Sequence, residues 1–409
     1  MTLNSIMKKL QPQRKSSYSS SKTFSILPLL LITFLFTFIL FTLYPSISFY
    51  SNSDDDYLSR KDCDLFSGEW VPNPYAPYYT NRTCFAIQEH QNCMKYGRPD
   101  TGFLKWKWKP DGCELPVFDP YRFLEMVRGK SIAFIGDSIA RNHMQSLMCL
   151  LSRVAVPVTL SNPLDQNQHY EYRSYNFKMS IFTSPYLVRV DQINPYLSRP
   201  FNLYLDEFDE HWTNEISRYH YIIISAAQWF FRPTKFHLNR SLIGCLYCPD
   251  ENVTHFDSAT LNYRRALNTA FRAIYTSENF KGVTILRTYA NSHFENGHWD
   301  DGGDCVRTEP FKRNEAPPME DYASEMYNVQ LEEFEIAQRE GRKRGLKFRL
   351  FDVTKAMFLR PDGHPSRYGH WPQQKVTMPN DCVHWCLPGP IDNWNDLLLE
   401  LLKREKIEN

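Results

Sequence analysis

Apolar positions along the C-terminal two-thirds of the chain come in two alternating patterns. Short apolar runs at Ser131–Ile135, Tyr221–Ser225, Val283–Thr288 and Lys347–Asp352 read as strands. Longer stretches at Arg141–Leu151, Ala259–Tyr275, Met319–Arg344 and Ile391–Lys403 space their apolar residues as helices do. Strands alternating with helices predict an α/β fold, an α/β/α sandwich around a mainly parallel sheet. In such sheets the ligand site lies beyond the carboxyl ends of the strands. No internal repeat is present.

The N-terminal third departs from this pattern twice. Ile26–Tyr44 is uncharged and largely apolar, long enough to cross a bilayer as a helix. Lys8, Lys9, Arg14, Lys15 and Lys22 precede it and Asp54, Asp55 and Asp56 follow. The basic flank predicts a cytoplasmic tail over residues 1–23, an anchor over 24–44, and the remainder across the membrane. An uncleaved anchor is expected, because the run is long and no small-residue cleavage pattern follows it. Residues 45–61 read as a short polar stem. Residues 62–116 hold Cys63, Cys84, Cys93 and Cys113, many aromatics and several prolines, with no long helix pattern. This reads as a loop-rich module that disulfides must hold, followed by a catalytic domain over 117–409.

Composition sharpens the compartment and excludes one partner class. The 409 residues allow one large domain with a smaller module, and 42% hydrophobic content is ample for a core. A net charge of +1, with no dense Lys/Arg stripe, excludes nucleic-acid binding as the function. All ten cysteines lie beyond the anchor, and Asn81, Asn239 and Asn252 each open an Asn-x-Ser/Thr acceptor. Anchor, acceptors and cysteines agree on an oxidising, glycosylating lumen.

The candidate chemistry sits at Gly136-Asp137-Ser138, directly after the first strand run. A strand, a tight turn and a helix lift a serine hydroxyl off the strand end. The N–H groups of the turn around Gly136 and Asp137, and of the helix start, can then receive an oxyanion. Acyl transfer also needs a base and a carboxylate to orient it. Asp381-Cys382-Val383-His384 offers both, with His384 as base and Asp381 as its partner. Asp137 reads as a structural cap of the turn. Arg141 and Asn142, one helical turn past Ser138, face either the reacting carbonyl or sugar, or helix-surface and capping contacts. His293 is a second-rank site candidate. A rival base is His364 in Asp362-Gly363-His364-Pro365, whose alternative reading is a structural turn histidine. Trp106, Trp108, Trp299 and Trp371 suit stacking on sugar rings, or core packing. Cys245-x-x-Cys248 reads as a local disulfide rather than a zinc half-site, since no second thiol pair matches it. A Cys305–Cys382 bond would tie the loop bearing Asp381 to the body. No metal site and no phosphate-binding loop is expected.

From Asp62 to about Leu402 the sequence resembles the plant trichome-birefringence-like family of polysaccharide O-acetyltransferases. The motifs carrying the resemblance are Cys63-Asp64-Leu65-Phe66-Ser67-Gly68-Glu69-Trp70, Trp106-Lys107-Trp108-Lys109-Pro110, Phe134-Ile135-Gly136-Asp137-Ser138, His293-Phe294-Glu295-Asn296-Gly297 and Asp381-Cys382-Val383-His384-Trp385-Cys386-Leu387-Pro388-Gly389. The resemblance implies a single-pass type II Golgi membrane protein with an SGNH-hydrolase-like domain. It implies Ser138, His384 and Asp381 as triad, with acetate carried on the serine and passed to a hemicellulose hydroxyl. No bound cofactor is expected, only an acetyl donor, acetyl-CoA or another carrier. The implied disulfides are Cys63–Cys113, Cys84–Cys149, Cys93–Cys386 and Cys305–Cys382. Gly244-Cys245-Leu246-Tyr247-Cys248 and the following Asn252-Val253-Thr254 are similar to members acting on xyloglucan or mannan. A luminal acetyl-esterase and a non-catalytic wall-polysaccharide binding protein stand as alternatives.

Overall fold

The computed structural model describes residues 63–162, 164–191, 200–249 and 251–407. The expected anchor over 24–44, its tail and its stem lie outside the described residues. Among the described residues no helix is long and apolar enough to cross a membrane.

The strands, in chain order, are β1 (Gly68–Pro72), β2 (Trp106–Pro110), β3 (Ser131–Gly136), β4 (Val158–Thr159), β5 (Gln168–Tyr172), β6 (Phe177–Thr183), β7 (Val188–Val190), β8 (Phe201–Phe208), β9 (Tyr221–Ser225), β10 (Thr234–Leu238), β11 (Ser241–Leu246), β12 (Val283–Arg287) and β13 (Lys347–Phe351). The helices are α1 (Pro120–Met126), α2 (Ser138–Leu151), α3 (Glu210–Thr213), α4 (Thr260–Thr276), α5 (Asp321–Arg342), α6 (Thr354–Phe358) and α7 (Asn393–Ile407). The main sheet runs β13-β12-β9-β3-β6-β5-β4, with β3 at its centre. Its first five strands are parallel, and β5 and β4 extend it antiparallel. The four runs read as strands are four of the five parallel ones. β5 and β6 reverse through Arg173–Tyr175 and Asn176, which takes the left-handed conformation at φ +45°. A second, mixed sheet runs β11-β10-β8-β7.

Alternation along the central strands builds both faces of the sandwich. Ile132 and Phe134 of β3 and Ile223 of β9 pack on one side with Met144 and Leu147 of α2 and Trp394 and Leu398 of α7. Ala133, Ile135, Ile222 and Ile224 pack on the other with Tyr263, Ala266 and Ala270 of α4 and Met326 of α5. Both faces are dry, so these strands are apolar throughout. Each Ile, Leu, Met or Phe among them contributes roughly 1.5–3 kcal/mol on burial.

The cysteine-rich N-terminal segment adds only the β1–β2 hairpin and a few short turns. It packs into the first of these cores through Leu65, Trp70 and Trp108. Trp70 Nε1 donates to Ala356 O at 2.7 Å, and Tyr79 donates to Asp392 at 2.7 Å. Cys63–Cys113 closes the segment on itself, while Cys84–Cys149 and Cys93–Cys386 bond it to α2 and to the loop before α7. Cys305–Cys382 is the fourth bond. These are the four pairs that the resemblance implies.

The local Cys245–Cys248 disulfide does not form, which corrects the expectation; both residues are buried thiols. Cys245 lies within β11 and Cys248 beyond a turn at Tyr247 (φ +53°). Their sulfurs meet different neighbours. Cys245 Sγ lies 4.0 Å from His255 Nδ1, and Cys248 Sγ donates to the carbonyls of Thr234 and Leu246 at 3.6 Å.

Candidate active site

The site grows out of the turn between β3 and α2. Gly136 ends β3 at φ +151°, and a Cβ there would lie 1.9 Å from Ser225 O on the neighbouring β9. Only glycine lets the chain leave the sheet at this point. Asp137 then caps α2: Oδ1 accepts from Ile139 N at 2.9 Å and Oδ2 from Ala227 N at 3.1 Å. Both carboxylate oxygens are thus committed to backbone, as a structural cap requires. The cap also explains why α2 starts at Ser138 rather than at Arg141, where the apolar spacing begins. Behind the turn lies Arg287, fully buried, donating to Ser225 Oγ at 2.7 and 2.9 Å and to Thr288 O at 2.8 Å. Burial lowers its pKa, and the Asp137 charge opposes that.

The loop before α7 brings the base to the serine. His384 Nε2 lies 2.7 Å from Ser138 Oγ, and His384 Nδ1 lies 2.8 Å from Asp381 Oδ2. The other carboxylate oxygen accepts the N–H groups of Val383 (3.1 Å) and His384 (2.9 Å). Burial works against ionising Asp381. The His384 ring and these donors outweigh it and hold the carboxyl well below the usual range. The loop is pinned on every side. Two disulfides grip Cys382 and Cys386, and Ser366 and Asp381 exchange backbone bonds at 2.8 and 3.0 Å. Trp385 N donates to Asn142 Oδ1 at 2.8 Å. His90 packs edge-on against His384 at 4.7 Å between ring centres, and burial, then the His384 charge, pushes its pKa down to about 4. Donor atoms of His90, Asp381 and His384 lie within 4.8 Å of one another. Both ring nitrogens of His384 are engaged, by Ser138 and by Asp381.

The other candidates divide. Arg141 sits three residues past Ser138 on the same helix face and lines a cleft of about 510 Å³ with Gln88, Gln145, Tyr170 and Trp229. Its Nε is buried without a hydrogen-bond partner, and burial lowers its pKa against the pull of Asp137. Asn142 is fully buried, and its Oδ1 accepts from Trp385 N in the loop that carries His384. His293 is not in the cleft. It is buried against His364, with Nδ1 2.7 Å from His364 Nε2. The rival base fails because its carboxylate is taken. Asp362 accepts from Arg360 at 2.8 Å on both oxygens, and His364 points at the backbone carbonyl of His384 instead. Of the tryptophans, Trp108 is core, with Nε1 donating to Leu65 O, and Trp106 is half-buried; Trp299 and Trp371 are exposed. The tryptophan that does line the cleft, Trp229, and the buried Arg287 escaped the sequence reading. Trp229 follows β9 in a short turn with no flanking motif, and an arginine closing a strand normally reads as a solvated end.

Strand, glycine turn, serine-bearing helix start and a late Asp-x-x-His loop on an α/β/α sheet define a protein of the GDSL/SGNH-like class. Residues 115–401 match the PC-Esterase family, the GDSL/SGNH-like acyl-esterase family found in Pmr5 and Cas1p, and residues 61–114 match the PMR5 N-terminal domain; the chain belongs to this family. It is 54% identical over 369 residues to protein trichome birefringence-like 19 of Arabidopsis thaliana, covering 88% of this chain and 86% of that one. It is 43% identical over 396 residues to xyloglucan O-acetyltransferase 4 of Populus trichocarpa, covering 92% of both. With xyloglucan O-acetyltransferase 2 of Arabidopsis thaliana it shares 42% identity over 368 residues and 87% of both chains.

Proposed function

We propose that this protein is a polysaccharide O-acetyltransferase working by double displacement on Ser138, with xyloglucan as the favoured acceptor. The observation that carries the reading is the unbroken chain from Ser138 Oγ through His384 to Asp381, with both links under 3 Å. His384 takes the Ser138 proton as Oγ attacks the donor acetyl, and Asp381 stabilises the imidazolium that forms. Ile139 N–H and Arg141 N–H already bond to Asp137. The N–H groups of Ser138 and Ala140, orphaned as at any helix start, are therefore the first-turn candidates for holding the oxyanion. The proton passes to the leaving group, leaving acetyl-Ser138. A sugar hydroxyl then gives its proton to His384 and attacks the acetyl carbon, and His384 passes that proton to the departing Ser138 Oγ, restoring the free serine. The acceptor assignment follows relatives named xyloglucan O-acetyltransferases; a mannan or glucomannan acceptor is the nearest alternative. The donor, acetyl-CoA or another acetyl carrier, meets the site only transiently.

The test is a donor without an acceptor. Incubation with an activated acetyl ester should leave a 42 Da adduct, about the mass of one acetyl less a proton, on the peptide holding Ser138. Added xyloglucan oligosaccharide should discharge it onto sugar. The family description also names esterases, so water is the competing acceptor. Discharge to free acetate at the same rate with and without glycan makes the protein an esterase. No adduct and no transfer leaves a glycan-binding protein.

We further propose that the bulk of the chain faces the Golgi lumen behind the 24–44 anchor, with glycans on Asn81, Asn239 or Asn252. Asn239 and Asn252 are exposed, Asn239 at the β10–β11 turn. Protease added to sealed microsomes should spare everything beyond residue 45, and glycosidase should lower the mass. Digestion of the bulk in intact vesicles overturns this topology.

A further inference from the structure

His293 and His364, both buried, form a run of three short polar contacts behind the base. His293 Nε2 lies 2.9 Å from Phe358 O, His293 Nδ1 lies 2.7 Å from His364 Nε2, and His364 Nδ1 lies 2.7 Å from the carbonyl oxygen of His384. The two outer partners are carbonyl oxygens, which only accept, so each outer nitrogen must carry a proton. The middle contact joins two nitrogens and needs one proton of its own. Three protons are required, and two neutral imidazoles hold two. Turning either ring over puts C–H groups at these positions and loses the contacts, so the ring orientations are the ones drawn.

We propose that His293 and His364 share three protons, and that this buried monocation positions the base by holding the backbone carbonyl of His384. The positioning role rests on His384 being the base; the proton count does not. Groups facing the pair pull both ways. Asp362 and Glu295 favour charge on His293 and Arg307 opposes it. Asp381 favours charge on His364 and Arg98 opposes it, with Arg98 Nη1 also donating to His364 O at 2.7 Å. Asp362 is neutralised by Arg360, which mutes its share. Burial is the largest influence and drives both rings toward the neutral form, His293 to about 4. Geometry is what resists it. Removing the third proton leaves a bare ring nitrogen facing a carbonyl oxygen at under 3 Å. The Trp385 ring, stacked on His364 at 4.1 Å between centres, offers its face to the cation. Losing the proton on the His364 side releases the carbonyl of the residue that carries the base.

The direct test is histidine ring ¹⁵N NMR on the full chain with labelled histidine, at a pH where the enzyme is active. Three protonated nitrogens and one bare one across the pair are expected; two and two overturn the proposal. The second test compares kcat–pH profiles of the wild type and His364→Gln. Wild type is expected to lose activity on an alkaline limb as the pair gives up its extra proton. His364→Gln should lack that limb and keep the acid limb, with kcat at the optimum lower on the order of 10- to 100-fold from a displaced base. Superimposable alkaline limbs overturn the positioning role. If Ser138→Ala retained activity, the reading of the base would fall while the NMR count still decided the pair.

Discussion

Ser138→Ala is expected to abolish acetyl transfer while leaving thermal unfolding within about 2 °C of wild type, as for a surface-like change near a helix start. The hydroxyl is the proposed nucleophile, and among the described residues its side-chain partner is His384. His384→Ala should be as severe, because among the described residues no other histidine is hydrogen-bonded to the serine: His364 is turned to a backbone carbonyl and His90 packs against the His384 ring. Asp381→Asn keeps the side-chain shape but cannot support the imidazolium, and a loss in kcat of roughly 10⁴-fold is expected. The double variant Ser138→Ala/His384→Ala should cost little beyond either single change, since the groups act as a unit. Steady-state transfer to a xyloglucan oligosaccharide checks all four. Full activity in Ser138→Ala removes the serine mechanism.

Gly136→Ala is expected to disrupt the fold and the site together. The new methyl would lie 1.9 Å from Ser225 O and 2.5 Å from Ser225 C, both backbone atoms of a central strand. Relief requires β3 and β9 to part where both strands are buried and where Asp137 N bonds Ser225 O at 3.1 Å. A loss above about 4 kcal/mol is expected, in the range kept for strain and overpacking at special backbone positions. Gly345→Ala is the matched control. Its φ is +72°, but nothing lies within 4 Å of an added Cβ, so only the left-handed penalty of about 1–2 kcal/mol applies. Urea unfolding of the pair separates the two terms. Equal losses would show that the close approach at Gly136 is relieved cheaply.

How much of this was legible in the sequence follows from what each element depends on. The parallel core strands are buried on both faces, so Tyr221–Ser225 declares itself as a plain apolar run. β6 is parallel too, but Lys178 and Ser180 interrupt its apolar positions, and the partly exposed β5 that pairs with it, Gln168–Tyr172, carries a histidine and a glutamate. Neither has a continuous run to read. Ser138 and His384 were readable because each sits in a short local motif. Asn142 was readable as a substrate or local capping contact and His293 as a site candidate, but neither as the holder of a distant partner. Their partners, Trp385 and His364, lie 243 and 71 residues away, and no local pattern encodes a contact of that span. The Cys245-x-x-Cys248 spacing misled for the same reason: a turn at Tyr247 sends the two sulfurs to separate neighbours.

The Cys93–Cys386 bond spans 293 residues and ends two positions past the base. The amino-terminal segment is therefore a strut for the loop that carries His384, and the two are coupled through this bond. A replacement for the first 114 residues of this chain must keep cysteines for Cys149 and Cys386 and must also match Tyr79 to Asp392 and Trp70 to Ala356 across the seam. For engineers wishing to retarget the acceptor, the transplantable unit is the whole of residues 63–407, with variation confined to the rim of the Arg141–Trp229 cleft.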